Sequence, residues 1–128
     1  MERPLPVEDA DSAPFWAGCR EHVLRAQRCG ECGRFRWPPR GLCPHCYSWR
    51  FDWQDLSGLG TVASFVVVHQ ATPTFAEMAP YTIARVTLDG TDDAVRITTN
   101  IVATEQTKIG MRVQVEFTDD GLPMFGAA

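Results

Sequence analysis

Residues 29–46 read CGECGRFRWPPRGLCPHC, so Cys29 and Cys32 form one C-x2-C pair, Cys43 and Cys46 a second, and ten residues separate them. Zinc takes four soft ligands in a tetrahedron, and two such pairs supply a closed shell of thiolates. Each pair sits where a tight knuckle can aim two sulfurs at one ion. Gly30 and Gly33 suit that geometry, because positions inside and just after a knuckle often need backbone angles that glycine reaches cheaply. Pro38-Pro39 stiffens the tip of the intervening hairpin and Pro44 stiffens the second knuckle. Four cysteines leave no open position for water, so the expected zinc is structural, not catalytic. Iron is the chemical alternative for four thiolates, and metal analysis separates the two. The remaining thiol, Cys19, reads as a small apolar residue on a helix face.

Around this segment the chain divides by pattern. Upstream, Asp11 or Ser12 can cap a helix and Pro14 loses nothing in a first turn. The spacing of Phe15, Cys19, His22, Val23 and Ala26 predicts a helix from about Pro14 to Gln27. Downstream of Trp53 the pattern becomes one of short strands. Thr61–His69 is rich in β-branched residues and opens just after Gly58 and Gly60, which predicts a bent or bulged strand. Tyr81–Leu88 ends at the turn pair Asp89-Gly90, and Val95–Val102 is a third strand. In Arg112–Phe117 polar and apolar residues alternate, giving one buried and one wet face. Short strands at this spacing, with no long helical pattern among them, favour a small closed barrel.

A chain of 128 residues has room for one such barrel and a metal-stapled appendage. Met1–Pro14 carries three prolines and four acids and lacks the basic start and apolar run of a secretory signal. The apolar run Phe65–Val68 is far shorter than the roughly 20 residues needed to span a bilayer. A reducing cytoplasm is the expected location, where cysteines serve as metal ligands or free thiols. The formal charge of −4 hides an asymmetry. Residues 20–50 hold seven arginines against Glu21 and Glu31, a balance of +5, whereas from Phe51 onward ten acids face four bases, a balance of −6. The basic third should face something negative, a nucleotide phosphate or an acidic partner.

Several pieces in order resemble a known family, the zinc-ribbon/OB-fold proteins encoded beside thiolase-like enzymes and long catalogued as a domain of unknown function. They are Phe15-Trp16, Cys29–Gly33, Pro38-Pro39-Arg40, Cys43–Cys46, Ser48, Leu56–Val62, Pro80-Tyr81, Val86–Gly90, Ile109-Gly110 and Leu122–Phe125. The resemblance covers nearly all of residues 15–125. It implies a mainly β protein with an N-terminal α-helix, a rubredoxin-like zinc ribbon and a small OB-fold β-barrel. The corresponding division is tail and helix over 1–28, ribbon over 29–53 and barrel over 54–128. It further implies a non-catalytic partner of a thiolase-fold enzyme, either a thiolase or a retro-aldolase that shortens steroid or aromatic acyl-CoA side chains. A heterotetramer of two plus two follows from the twofold symmetry of thiolase-fold dimers. The chain departs from the family pattern at Val23, where many members have glycine, and in the extension Thr91-Asp92-Asp93, expected to be a surface loop.

Catalytic signatures do not accompany the serines, histidines and acids: there is no Gly-x-Ser-x-Gly elbow and no His-Glu-x-x-His helix. His69, at the end of an apolar strand, lacks an obvious orienting carboxylate nearby in sequence. An independent thioester hydrolase is therefore a weaker reading. Candidate contacts to coenzyme A phosphates or an acidic partner are Arg28, Arg34, Arg36 and Arg40, whose planar guanidinium gives paired, charge-assisted bonds. Phe75 and Met78, in the loop Thr72–Pro80, are candidates to touch the partner or narrow the acyl-CoA channel. Phe35, Trp37, Trp49, Phe51 and Trp53 are expected mostly to pack ribbon on barrel, with some left as interface anchors. The rival function is single-stranded nucleic-acid binding, which ribbons and OB barrels also serve. A pI near 5.3 and an acidic barrel segment argue against it.

Overall fold

A computed structural model describes residues 7–73, 75–102 and 107–128. The first six residues of the expected tail and Thr74 of the Thr72–Pro80 loop lie outside the described residues. Helix α1 spans Ala13–Arg20, and strands β1 (Arg25–Cys29), β2 (Phe35–Arg36) and β3 (Phe51–Asp55) form a three-stranded antiparallel sheet in the order β2-β1-β3. Strands β4 (Leu59–Val68), β5 (Tyr81–Leu88), β6 (Arg96–Ile101), β7 (Arg112–Phe117) and β8 (Pro123–Ala127) close into a barrel in the order β4-β5-β6-β8-β7. The mainly β fold with one amino-terminal helix, cysteine ribbon and barrel is thus as expected.

The helix is shorter than its apolar spacing suggested. It stops at Arg20, and Arg25–Cys29 is a strand, so Ala26 lies in the ribbon sheet and not on a helix face. The stop is a two-bond turn. The amide of His22 donates to the carbonyl of Cys19 at 3.0 Å and that of Val23 to Gly18 at 2.8 Å, with His22 in the left-handed region at φ 64°. From there β1 becomes the central strand, with Arg25–Cys29 running against Phe51–Asp55 and Gln27-Arg28 against Arg36-Phe35. That ladder, together with burial of Leu24, Ala26 and Gln27, outweighs the helical preference of a short segment. The helix start also differs in detail. Ser12 is the N-cap by position but makes no side-chain cap; Asp9 and Ser12 instead bond reciprocally, Ser12 N to Asp9 Oδ1 at 2.8 Å and Asp9 N to Ser12 Oγ at 3.2 Å.

In the barrel, β4 shifts register between Val62 and Ser64, the irregularity that Gly58 and Gly60 foreshadowed. Gly60 is required by close approach: a Cβ there would lie 2.7 Å from the Thr87 carbonyl oxygen. The Thr91–Asp93 extension is not simply a surface loop. Thr91 is fully buried, its hydroxyl donating to the Leu88 carbonyl at 2.8 Å and accepting from the Val95 amide at 3.3 Å, so it knits the β5–β6 turn. Asp92 and Asp93 remain exposed.

One apolar cluster runs through all three parts. Phe15 and Cys19 of the helix, Leu24, Ala26 and Phe35 of the ribbon, and barrel residues such as Val62, Val86, Val113 and Phe125 belong to the same buried set. Trp37, at the hairpin tip, stands edge-on to Phe15 at 5.0 Å. His22 stacks flat on Phe117 of β7 at 5.1 Å, and the Leu56 amide bonds the Leu24 carbonyl at 2.8 Å. The ribbon is therefore fixed against the barrel by shared core.

Candidate metal centre and neighbouring surface

The two knuckles are built alike. In the first, the amides of Glu31 and Cys32 each approach Cys29 Sγ at 3.4 Å, and the Gly33 amide returns to the Cys29 carbonyl at 3.2 Å. In the second, the Tyr47 amide returns to the Cys43 carbonyl at 3.0 Å. Gly33 (φ 76°) and Tyr47 (φ 62°) hold the same left-handed position, which costs a non-glycine residue roughly 1–2 kcal/mol. Gly30 serves a different need, since a Cβ there would press on Arg50 at 3.3 Å.

The four sulfurs lie within 4.8 Å of one another, with Cys29–Cys46 at 3.5 Å and Cys32–Cys43 at 3.7 Å. A zinc–sulfur bond of about 2.3 Å gives a tetrahedron edge of about 3.8 Å, so the set fits one zinc ion. The same separations are far beyond a disulfide bond of about 2.0 Å. Cys29 and Cys43 are buried, Cys32 and Cys46 exposed. The Cys32 amide above all, and the Glu31 amide, hold the Cys29 thiol down to about 6 against burial. Cys46 feels the Ser48 amide pulling down, yet burial and the neighbouring thiols push it up to about 11. Thiols this close oppose one another's ionisation, and a dication at their centre removes that conflict.

The arginines named from sequence occupy distinct settings. Arg36 is 2% exposed; its guanidinium donates to the carbonyls of Arg40 at 3.0 Å and Arg50 at 3.3 Å and lies over the Phe51 ring at 4.9 Å. It braces the hairpin from inside. Arg28 is exposed but bonds the Gly33 carbonyl at 2.9 Å and covers Phe35. Arg40 folds over Pro38 and Trp37, and its amide donates to the buried Gln27 Oε1 at 2.8 Å. Arg34 is exposed. Phe75 and Met78 come together with Tyr81, Ile83 and Asn100 in a shallow groove of about 290 Å³ on the barrel. Sequence reasoning passed over Arg85 and Arg96, which with Trp37 and Pro38 line a larger groove of about 580 Å³. A signal was there: both lie on outward positions of adjacent strands, with Arg85 opposite Thr98 and Arg96 opposite Thr87. Of the aromatics, Phe35 is buried, and Trp37 and Trp53 pack on the core. Trp49 (72%) and Tyr47 (71%) face solvent. Burial pushes the Cys19 thiol up to about 11.

Two family models match adjoining segments of the chain: "ChsH2, rubredoxin-like zinc ribbon domain" over residues 16–52 and "ChsH2, C-terminal OB-fold domain" over 53–118. The chain belongs to the ChsH2 zinc-ribbon/OB-fold family. Among its relatives is a "DUF35 domain-containing scaffold protein" of Methanocaldococcus jannaschii, 36% identical over 87% of this chain and 84% of that one. A "Probable enoyl-CoA hydratase alpha subunit" of Thermomonospora curvata is 34% identical over 98% of this chain, which spans 40% of that longer protein. A solved structure titled "Ltp2-ChsH2(DUF35) aldolase" superposes with a TM-score of 0.83 at 32% identity, covering 96% of this chain and 98% of that one. The ribbon and barrel expected of a ChsH2-family chain are the ones observed, and the four cysteines are positioned for one metal ion. Among the described residues no helix is long and apolar enough to cross a membrane.

Proposed function

We propose that this chain is a non-catalytic, zinc-stabilised subunit of a thiolase-type acyl-CoA enzyme. It assembles with a thiolase-fold subunit in a two-plus-two complex and helps shape the acyl-CoA channel at the shared interface. The observation that carries this reading is the near end-to-end likeness to the ChsH2 chain of an aldolase complex, at 32% identity and a TM-score of 0.83. A relative named as a scaffold protein supports the non-catalytic part. So does Cys19, the thiol outside the metal set, which lies fully buried in the core with its pKa pushed up to about 11.

Zinc, bound by Cys29, Cys32, Cys43 and Cys46, supplies a closed-shell crosslink and no Lewis-acid chemistry. What the chain's own residues contribute is a surface. Exposed Arg34 and Arg28, and the exposed pair Tyr47 and Trp49, offer charged and aromatic contacts of the kind that dominate interfaces. Phe75 and Met78 line the channel wall. The strained left-handed Tyr47 suits a side chain kept for contact, because such strain gathers at functional positions.

The test is co-expression with a thiolase-type protein from the same organism, followed by size measurement and acyl-CoA cleavage assays. A stable complex that is active, with neither chain active alone, is the expected result. A chain that stays monomeric beside that protein, or cleaves acyl-CoA by itself, would overturn the reading.

A further inference from the structure

The four sulfurs of the metal centre are not equivalent toward a molecule arriving from solvent. Cys32 and Cys46 are exposed, Cys29 and Cys43 buried. Each of the two short separations joins an exposed sulfur to a buried one across the knuckles, Cys32 to Cys43 at 3.7 Å and Cys46 to Cys29 at 3.5 Å. Their hydrogen bonds differ as well. Cys29 Sγ takes the amides of Glu31 and Cys32, both at 3.4 Å, and Cys46 accepts from the Ser48 amide. Among the described residues no backbone amide donates to Cys32 Sγ, although Arg34 follows it at the offset by which Ser48 follows Cys46.

On a divalent ion all four cysteines are thiolates, so protonation does not choose among them. Access and intrinsic nucleophilicity do. An amide donor draws electron density from a sulfur and makes it a weaker nucleophile. Cys32, exposed and without such a donor, is therefore the most reactive of the four. Cys43 lies behind it at 3.7 Å, placed to close a bridge. Cys19, fully buried in the core, stands outside this set.

We infer that Cys32 is an oxidative modification site for hydroperoxides with Cys43 as its resolving thiol, so that the metal centre doubles as a peroxide-sensitive latch. The Cys32 thiolate attacks one oxygen of hydrogen peroxide. An S–O bond forms, the O–O bond breaks and hydroxide leaves, giving the sulfenic acid. The Cys43 thiolate then attacks that sulfur; the S–S bond forms, the S–O bond breaks and a second hydroxide leaves. Overall each thiolate loses one electron and the peroxide takes both. Cys29 and Cys46 alone cannot complete a tetrahedral shell, so the ion is given up. The bridge joins the two knuckles instead of closing either one, which keeps the ends of the hairpin together. A dithiol reductant with fresh zinc can therefore restore the site. The inference goes beyond the proposed assembly role and does not depend on it.

The test adds equimolar hydrogen peroxide to the full chain loaded with zinc, follows released ion with a chromogenic chelator, and maps bridges by alkylation, proteolysis and tandem mass spectrometry. Zinc should appear in step with bridge formation, Cys32–Cys43 should be the first bridge, and Cys19 should stay a free thiol. Dithiothreitol with added zinc should return the original metal content. Cys32→His keeps a shell of three cysteines and one histidine, which zinc accepts, and removes the exposed sulfur; it should slow zinc release at least tenfold. Cys46→His, the same change at the other exposed ligand, should still yield the Cys32–Cys43 bridge. Metal content before peroxide verifies each variant, and if Cys32→His holds no zinc the order of bridges in the unsubstituted chain decides. Zinc retained against peroxide, a first bridge within one knuckle or between Cys29 and Cys46, or release unslowed in Cys32→His would overturn the inference. Every readout is taken on this chain alone, so the outcome is separate from that of assembly with an enzyme subunit.

Discussion

Arg36→Ala is the substitution whose outcome the geometry constrains most tightly. The guanidinium lies inside the hairpin, donating to the carbonyls of Arg40 at 3.0 Å and Arg50 at 3.3 Å above the Phe51 ring. The shorter bond, from a charged donor, is worth about 2 kcal/mol and the longer about 1. The contact with Phe51 adds roughly 1 kcal/mol at a desolvated site. Against these, Nε of Arg36 is buried without a hydrogen-bond partner, and removing it recovers about 1 kcal/mol. The net loss is about 3 kcal/mol, a large fraction of the 5–15 kcal/mol that typically holds a domain. At a urea m-value near 1.5 kcal/mol/M the midpoint should fall by about 2 M with little change in slope. Arg36→Lys, which can reach one carbonyl but not fork between two, should lie between. The assay is urea denaturation followed by tryptophan fluorescence, with metal content measured on the same samples. A midpoint unchanged within 0.3 M, by about the error of extrapolation, would refute a bracing role and return Arg36 to the list of surface contacts.

Substitution of Cys32 or Cys43 by serine should abolish the one-to-one zinc content seen by elemental analysis and leave the amino-terminal half susceptible to protease, because the closed shell is part of the folding energy. Tyr47→Gly should raise stability by up to about 1 kcal/mol, relieving the left-handed backbone, while weakening co-purification with the enzyme subunit; a destabilised variant would contradict the first half. The Arg112 guanidinium, bonding Asp89 at 2.8 Å, holds that carboxyl below its ordinary range. Its folded pKa is therefore depressed, so the pair's contribution is present above the unfolded value near 4 and is lost as pH falls through the folded value. Asp89→Asn should flatten that part of the acid limb of a stability-against-pH curve, and an unchanged limb would speak against the pair.

The metal centre was legible because its chemistry is written in spacing alone: two C-x2-C pairs and a stiffened hairpin leave few other arrangements. The barrel strands were legible for a similar reason, since β-branched runs and the alternation in Arg112–Phe117 report local burial. The helix end was not. His22 adopts an angle that usually advertises itself through glycine, and the apolar residues after it serve a strand whose partner, Phe51–Asp55, lies some twenty-five residues away. Thr91 reads as loop in the sequence because it opens an extension beyond the Asp89-Gly90 turn; only the carbonyl of Leu88 and the amide of Val95 reveal that its hydroxyl closes the turn. Arg85 and Arg96 were invisible for want of register. Their proximity is a property of strand pairing, and nothing in either strand alone announces it.

Trp37 belongs at once to the hairpin that the cysteines cinch and to the wall of the outer groove. The ion at the hairpin's base and the apolar core at its tip therefore belong to one folding unit: stripping the metal should loosen the seat of Trp37 against Phe15, and a softened core should in turn lower metal retention.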